Sequence, residues 1–233
     1  MKAFYNNEKI KNFYLDRIKE HREADHLIQG TGWEDGKGCA IGCLFEDYDH
    51  SRMKDEWDVP EWFAHLTDKI FEGLSNEKAQ LWPEKVVEAI PVGADVNECR
   101  NEILVWILEY VLQVFDHEKF PSVYKSVTDV LRLLKTRNKN MALWYDVQRA
   151  ATDAPAYAPV TAPAIGASYV INVVSFAAAA AADVAAAAVA SAANATDAAI
   201  YFSATTDYVT TNVAKEKFWT GLSEKVIELV SKL

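Results

Sequence analysis

The chain has 233 residues, half of them hydrophobic, so a sizeable core can form and disorder throughout is excluded. Its formal net charge of −10 argues against a general nucleic-acid binder, which needs a basic face to neutralise phosphates. Three cysteines, an odd number, make a disulfide framework an improper reading and point to reduced thiols in a cytoplasm. No basic segment followed by an apolar one occupies Met1 to Gly30, so no secretory signal is expected.

Asn6 or Asn7 can cap a first helix running to Gly30, with Ile10, Phe13, Tyr14, Ile18, Ala24, Leu27 and Ile28 spaced to bury one side. Its last turns carry His21, Arg22, Asp25 and His26 to the mouth of a glycine-rich stretch. A histidine near a helix C-terminus is commonly just a favourable partner for the helix dipole.

That stretch, Gly30 to His50, holds five of the nine glycines within thirteen residues, together with Cys39, Cys43 and Lys37. Glycine so dense implies a shaped loop rather than a slack linker. Asp35-Gly36 signals a tight turn between Trp33 and Gly38, and hence a short hairpin. Cys39 to Phe45 reads as a strand or as the first turns of a helix. As a helix it puts both thiols on one face, with Cys39 near exposed amides that lower a thiol's pKa and attract an anion. The plainer reading makes Ala40, Gly42 and the cysteines small residues at a close packing contact.

After the acidic run Glu46 to Asp49, Ser51 starts a short helix to Trp57. Pro60 then opens a helix whose Trp62, Phe63, Leu66, Ile70 and Phe71 face the core before Gly73 ends it. Ser75 opens a segment that Pro83 interrupts or restarts, and Ile90 to Gly93 is a break. Asp95 and Glu98 form a capping box for a long helix towards His117, with Val96, Cys99, Ile103, Trp106, Ile107, Tyr110, Val111, Val114 and Phe115 spaced for deep burial.

Pro121 starts the next helix, with Val123, Val127, Val130, Leu131 and Leu134 inward. Lys135 to Lys139 is a compact basic cluster at its end, and a further helix from Met141 carries Leu143, Trp144 and Val147. Prolines 155, 159 and 163 favour an extended connector. Tyr169 to Ala199 is rich in alanine, the best helix former, and is read as a soluble helix in close contact with others. Alanine is weakly lipophilic and Asp183 sits near the middle, so a membrane span is rejected. Asp183 and Asp197 are expected to mark the side left to water. From Val213 an amphipathic helix continues to the C-terminus.

The segments HREAD, GKGCAIGC, IFEGL and AIPVGAD, followed by an alanine-rich tail, resemble a family of uncharacterised proteins from bacteria and their phages. The likeness covers Phe13 to Asp95, and the tail by composition. It implies an accessory protein of a phage or prophage, one that interferes with host defence, and brings no site residues with it.

The expected fold is therefore all-α: a helical core over 1–151, a connector over 152–167 and an alanine-rich helical extension over 168–233 packed on the core. The first functional reading is a binding module for a small anionic ligand or a host protein. Arg22, His26, Trp33, Lys37, Gly38, Cys39, Cys43 and His50 are its candidate residues, with Arg22, His26 and Lys37 supplying charge, the amides of Gly36 to Cys39 supplying donors, and Trp33 stacking on a ring. The second is a cysteine hydrolase or transferase, with Cys39 or Cys43 as nucleophile and His26 or His50 as base. The third is a structural protein whose alanine-rich helix joins copies into an oligomer. Cys39, Cys43, His26 and His50 do not make a strong zinc pattern, so neither metal nor cofactor is expected.

Overall fold

The structure is a computed structural model that describes residues 1–114, 118–153, 170, 172–174, 177, 179, 188–203 and 208–233. Among the described residues it is all-α apart from one two-stranded hairpin. The chain falls into two compact units: Met1–Cys99 with Trp219–Leu233, and Arg100–Phe218. The helices of 100–153 belong to the second unit together with the alanine-rich helix. The proline connector and Asp183 lie outside the described residues.

In the first unit, helix α1 spans Glu8–Glu23, and Asn7 caps it by accepting the Lys9 amide at 3.0 Å. It stops well before Gly30. Asp25 takes the left-handed conformation at φ 57°, the His26 amide donates back to His21 O at 2.9 Å, and the Asp25 amide to Arg22 O at 3.1 Å. That pattern is a Schellman closure with aspartate where glycine is usual, which is why a glycine-based reading set the end too late. Leu27 and Ile28 therefore belong to the loop, and Ile28 is exposed. Phe13 is also exposed, lying under the Arg17 guanidinium 4.6 Å from its ring centre rather than in the core.

The hairpin pairs β1, Trp33–Glu34, with β2, Lys37–Gly38. Asp35 and Gly36 turn it at φ 50° and 78°, both positive, as a type I′ turn demands. Helices α2 (Ala40–Phe45), α3 (Ser51–Trp57), α4 (Glu61–Gly73) and α5 (Asn76–Ala89) follow. Pro83 does not interrupt α5. The helix runs through it because Ala79, Trp82, Pro83, Val86 and Val87 are all buried, and that packing offsets the lost hydrogen bond. Phe4, Tyr14 and Phe45 surround Trp57 at ring separations of 5.2, 4.9 and 5.3 Å, in the tilted and edge-on arrangements aromatic rings favour. The last part of the C-terminal helix, Tyr208–Val230, completes this core with Trp219, Leu222, Val226 and Val230.

The second unit contains α6 (Arg100–Val114), α7 (Pro121–Lys135), α8 (Met141–Asp153), the alanine-rich helix Ala188–Ser203 and the start of the C-terminal helix. The Asp95 carboxylate accepts the Asn97 amide, but a turn of 3-10 helix over Val96–Cys99 stands between it and α6. Trp106 and Tyr110 are half-buried rather than deep, and both rings lean on Phe218. Two cations of the basic cluster pair with α6: Lys135 with Glu109 at 2.6 Å and Arg137 with Glu102 at 2.7 Å.

The alanine-rich helix packs on α6 and buries Ala188, Ala192, Ala193, Ala199 and Ile200. Asp197 does not face open water. Its carboxylate pairs with Lys215 at 2.8 Å, and its side chain is 18% exposed. No helix among the described residues is long and apolar enough to cross a membrane.

Because Ala192 has no exposed surface while Asn194 faces solvent, Ala192→Leu should cost ~1–3 kcal/mol and Asn194→Leu no more than ~0.5 kcal/mol. Urea unfolding of the two variants checks this, and equal losses would contradict the packing described.

Candidate functional site

The glycine-rich loop is folded around one carbonyl. Gly32 O lies so close to Gly38 and Gly42 that a Cβ on either would stand 2.1 or 2.0 Å from it. Only glycine fits at these two places. The same carbonyl and that of Thr31 accept the Cys39 amide at 3.0 and 2.7 Å, and the Gly38 amide donates to His26 O at 3.0 Å. Gln29 Nε2 donates to the Phe71 and Leu74 carbonyls, and the Gly30 amide to Glu72 Oε2 at 2.8 Å, tying the loop to the end of α4.

Of the amides of Gly36 to Cys39 expected to serve an anion, those of Gly38 and Cys39 donate to the chain's own carbonyls. Arg22 pairs with Glu84 at 3.0 Å, while Lys37 is exposed on the hairpin. His26 meets His21, their Nδ1 atoms 3.3 Å apart, and the His21 ring stands edge-on to Trp33 at 5.6 Å. Burial, and next the neighbouring His26, push the His21 pKa down.

Cys39 caps α2 and Cys43 lies one turn further on; both are buried, and no disulfide joins any of the three cysteines. The cap was expected to acidify the thiol. Instead burial, with the charge of Asp68 adding to it, pushes the Cys39 thiol far up, and burial pushes Cys43 up to about 12. Cys43 Sγ donates to Gly38 O and His26 O. Neither cysteine is a poised thiolate in this arrangement.

The residue that gathers Cys39 and His50 is one the sequence reading passed over. Asp68 on α4 is 2% exposed. Its Oδ2 accepts from the Tyr48 hydroxyl at 3.2 Å and lies 3.4 Å from His50 Nε2. Its Oδ1 is buried, and no hydrogen bond of ordinary geometry reaches it; the Cys39 thiol alongside is a weak donor. Burial raises the carboxyl, but hydrogen bonding by His50 and Cys39 outweighs it and holds Asp68 below the usual carboxylate range. The His50 ring stacks on His65 at 4.0 Å, and His65 Nε2 stands 3.5 Å from Glu61.

One turn beyond Asp68, Glu72 reaches the same place. Cys39 Sγ and a carboxylate oxygen from each of Asp68 and Glu72 lie within 4.8 Å of one another. Burial, more than its acidic neighbour, pushes the Glu72 carboxyl up. The signal for these residues was present in the sequence. His65, Asp68 and Glu72 recur at helical spacing, and Asp68 interrupts an otherwise apolar stripe of α4 between Ala64 and Phe71.

A separate groove of about 510 Å³ runs between α5 and the C-terminal helix, within the first unit. Leu74, Trp82 and Ile227 supply its apolar surface, Lys78 and Lys85 stand on one wall, and Ser223, Glu224 and Glu228 stand on the other. Glu228 is already paired with Lys225 at 2.9 Å and Lys232 at 2.6 Å. None of these residues was among the candidates from sequence.

No family model, no curated protein and no solved structure matches the chain.

Since the thiols are buried and bonded inward, they should resist a bulky disulfide reagent in the native protein, with all three titrating only after denaturation. Gly42→Ala, which drives a methyl into the Gly32 carbonyl, should destabilise the protein by ~1–3 kcal/mol in urea and open Cys39 and Cys43 to the reagent. Fast native labelling of Cys39 in the unaltered protein would contradict this account.

Proposed function

We propose that the chain is a non-catalytic binding protein whose ligand is a small molecule with an apolar body and one anionic group, seated in the groove between α5 and the C-terminal helix. The observation that carries this reading is the groove itself. Its volume falls in the range of small-molecule sites, ~300–1,000 Å³, and its apolar surface is rimmed by a few polar groups. Lys85 and Lys78 present cations beside Trp82 and Leu74, and Lys78 is already steered by its Thr220 hydrogen bond of 2.9 Å. On the opposite wall Glu224 adds one negative charge, while that of Glu228 is countered by Lys225 and Lys232, so four lysines against two glutamates leave a balance that favours an anion.

The inward-facing thiols weigh against the alternative of a cysteine hydrolase or transferase, which needs an accessible thiolate within reach of a base. A setting in a phage or prophage, as an accessory protein, is part of the same proposal.

Anilinonaphthalenesulfonate, an anion with an apolar body, is a direct probe. It should bind the folded full chain saturably, and Lys85→Glu should weaken it ~10-fold, the effect of losing one charge-assisted contact, while Lys37→Glu on the hairpin leaves it unchanged. Equal affinity in the unaltered, Lys85→Glu and Lys78→Glu proteins would overturn the assignment of the groove.

A further inference from the structure

Beneath the glycine loop the geometry points to a second, independent site: a divalent transition-metal site of zinc type, held by Cys39 Sγ and a carboxylate oxygen from each of Asp68 and Glu72. The three side chains come from two elements, the N-cap of α2 and successive turns of α4, and their donor atoms lie within 4.8 Å of one another.

The observation that asks for a cation is Asp68 Oδ1. A carboxylate oxygen this deeply buried is costly to leave with no better neighbour than the weakly donating Cys39 thiol, and proteins satisfy such groups by hydrogen bonds, ion pairs or metal coordination. Here the other oxygen, Oδ2, is engaged by Tyr48 and His50. Glu72 is similarly anchored, with Oε2 held by the Gly30 amide. Each carboxylate is oriented through one oxygen, the way outer-shell hydrogen bonds orient metal ligands. Gathering two carboxylates and a thiol at one largely buried place is unfavourable without a cation and favourable around one.

The donor set narrows the ion. One thiolate with two carboxylates joins a soft ligand to hard ones, which suits Zn2+ and its spectroscopic substitute Co2+ and disfavours Mg2+ and Ca2+, which take oxygen ligands alone. Donor atoms around a tetrahedral zinc stand roughly 3.5 Å apart, so rotation of these side chains by about 1 Å completes the set, with a solvent molecule in the fourth position. On binding, the Cys39 S–H bond breaks and a sulfur–metal bond forms, the proton passing to solvent.

The test uses the full chain, first treated with a chelator and then titrated with Co2+. One equivalent should bind and produce a thiolate-to-cobalt charge-transfer band in the near ultraviolet. Cys39→Ser should abolish the band, and Glu72→Gln should weaken binding at least ~10-fold, the usual scale for losing a ligand or its support, while Cys43→Ser keeps band and affinity. Circular dichroism confirms that each variant is folded. For any that is not, the unaltered protein still decides the matter, since Zn2+ but not Mg2+ should raise its thermal midpoint. Absence of Co2+ uptake by the unaltered chain, or a band that survives Cys39→Ser, would overturn the site. Lys85→Glu leaves cobalt binding intact, so the groove and the metal site stand or fall separately.

Discussion

The close approach of the Gly32 carbonyl to Gly38 and Gly42 is the contact on which the first unit depends. A single oxygen lies against two glycines that have no side chain to move aside, and it also accepts the amide of Cys39. This closure brings the start of α2 against the hairpin and fixes where the Cys39 side chain points. A loop so dense in glycine loses much conformational freedom on folding. The hydrogen bonds of Gln29, Gly30, Gly38 and Cys39, each to a buried or half-buried partner, offset that loss. Gly38 and Gly42 are thus accounted for by packing of the chain on itself.

What that closure creates is a shared wall between loop and α4. Asp68 is an unfavourable residue for the buried stripe of a helix, and it persists there because Tyr48, His50 and Cys39 all arrive from the loop side. The loop needs α4 for its tethers, and α4 needs the loop to satisfy its carboxylate. Such mutual dependence makes the region cooperative: loss of one polar partner leaves the other buried and unpaired, which costs more than the hydrogen bond itself was worth.

The fold was largely legible from sequence, and the site only partly. Periodicity and caps found α3, α4 and α7 because their apolar residues, such as Phe63, Leu66 and Ile70 or Val127, Val130 and Leu134, recur on one helical face and are in fact buried. Asp35-Gly36 marked the hairpin for an equally local reason, the demand for positive φ at both turn positions. The end of α1 was misplaced because aspartate rather than glycine occupies its left-handed position. Pro83 was misread because a local rule was overridden by burial. Cys39 and His50 stood out as reactive residue types, yet nothing local said that Asp68 would lie between them. That juxtaposition depends on how α4 packs on α2, a contact between distant parts of the chain.

Three consecutive residues at the end of α4 carry different tasks, and their sequence neighbourhood explains how the first unit is held together. Glu72 turns toward the loop and accepts the Gly30 amide. Gly73 lies flat against the indole of Trp219, where any Cβ would stand 2.2 Å from the ring, so the C-terminal helix is seated directly on the backbone of α4. Leu74 ends the helix and forms part of the groove that the C-terminal helix closes from the other side. Because these residues share one short stretch of backbone, the Glu72 carboxylate, the Trp219 contact at Gly73 and the groove wall at Leu74 are immediate neighbours. The two proposed binding places are chemically independent, but the glycine between Glu72 and Leu74 makes them mechanically adjacent.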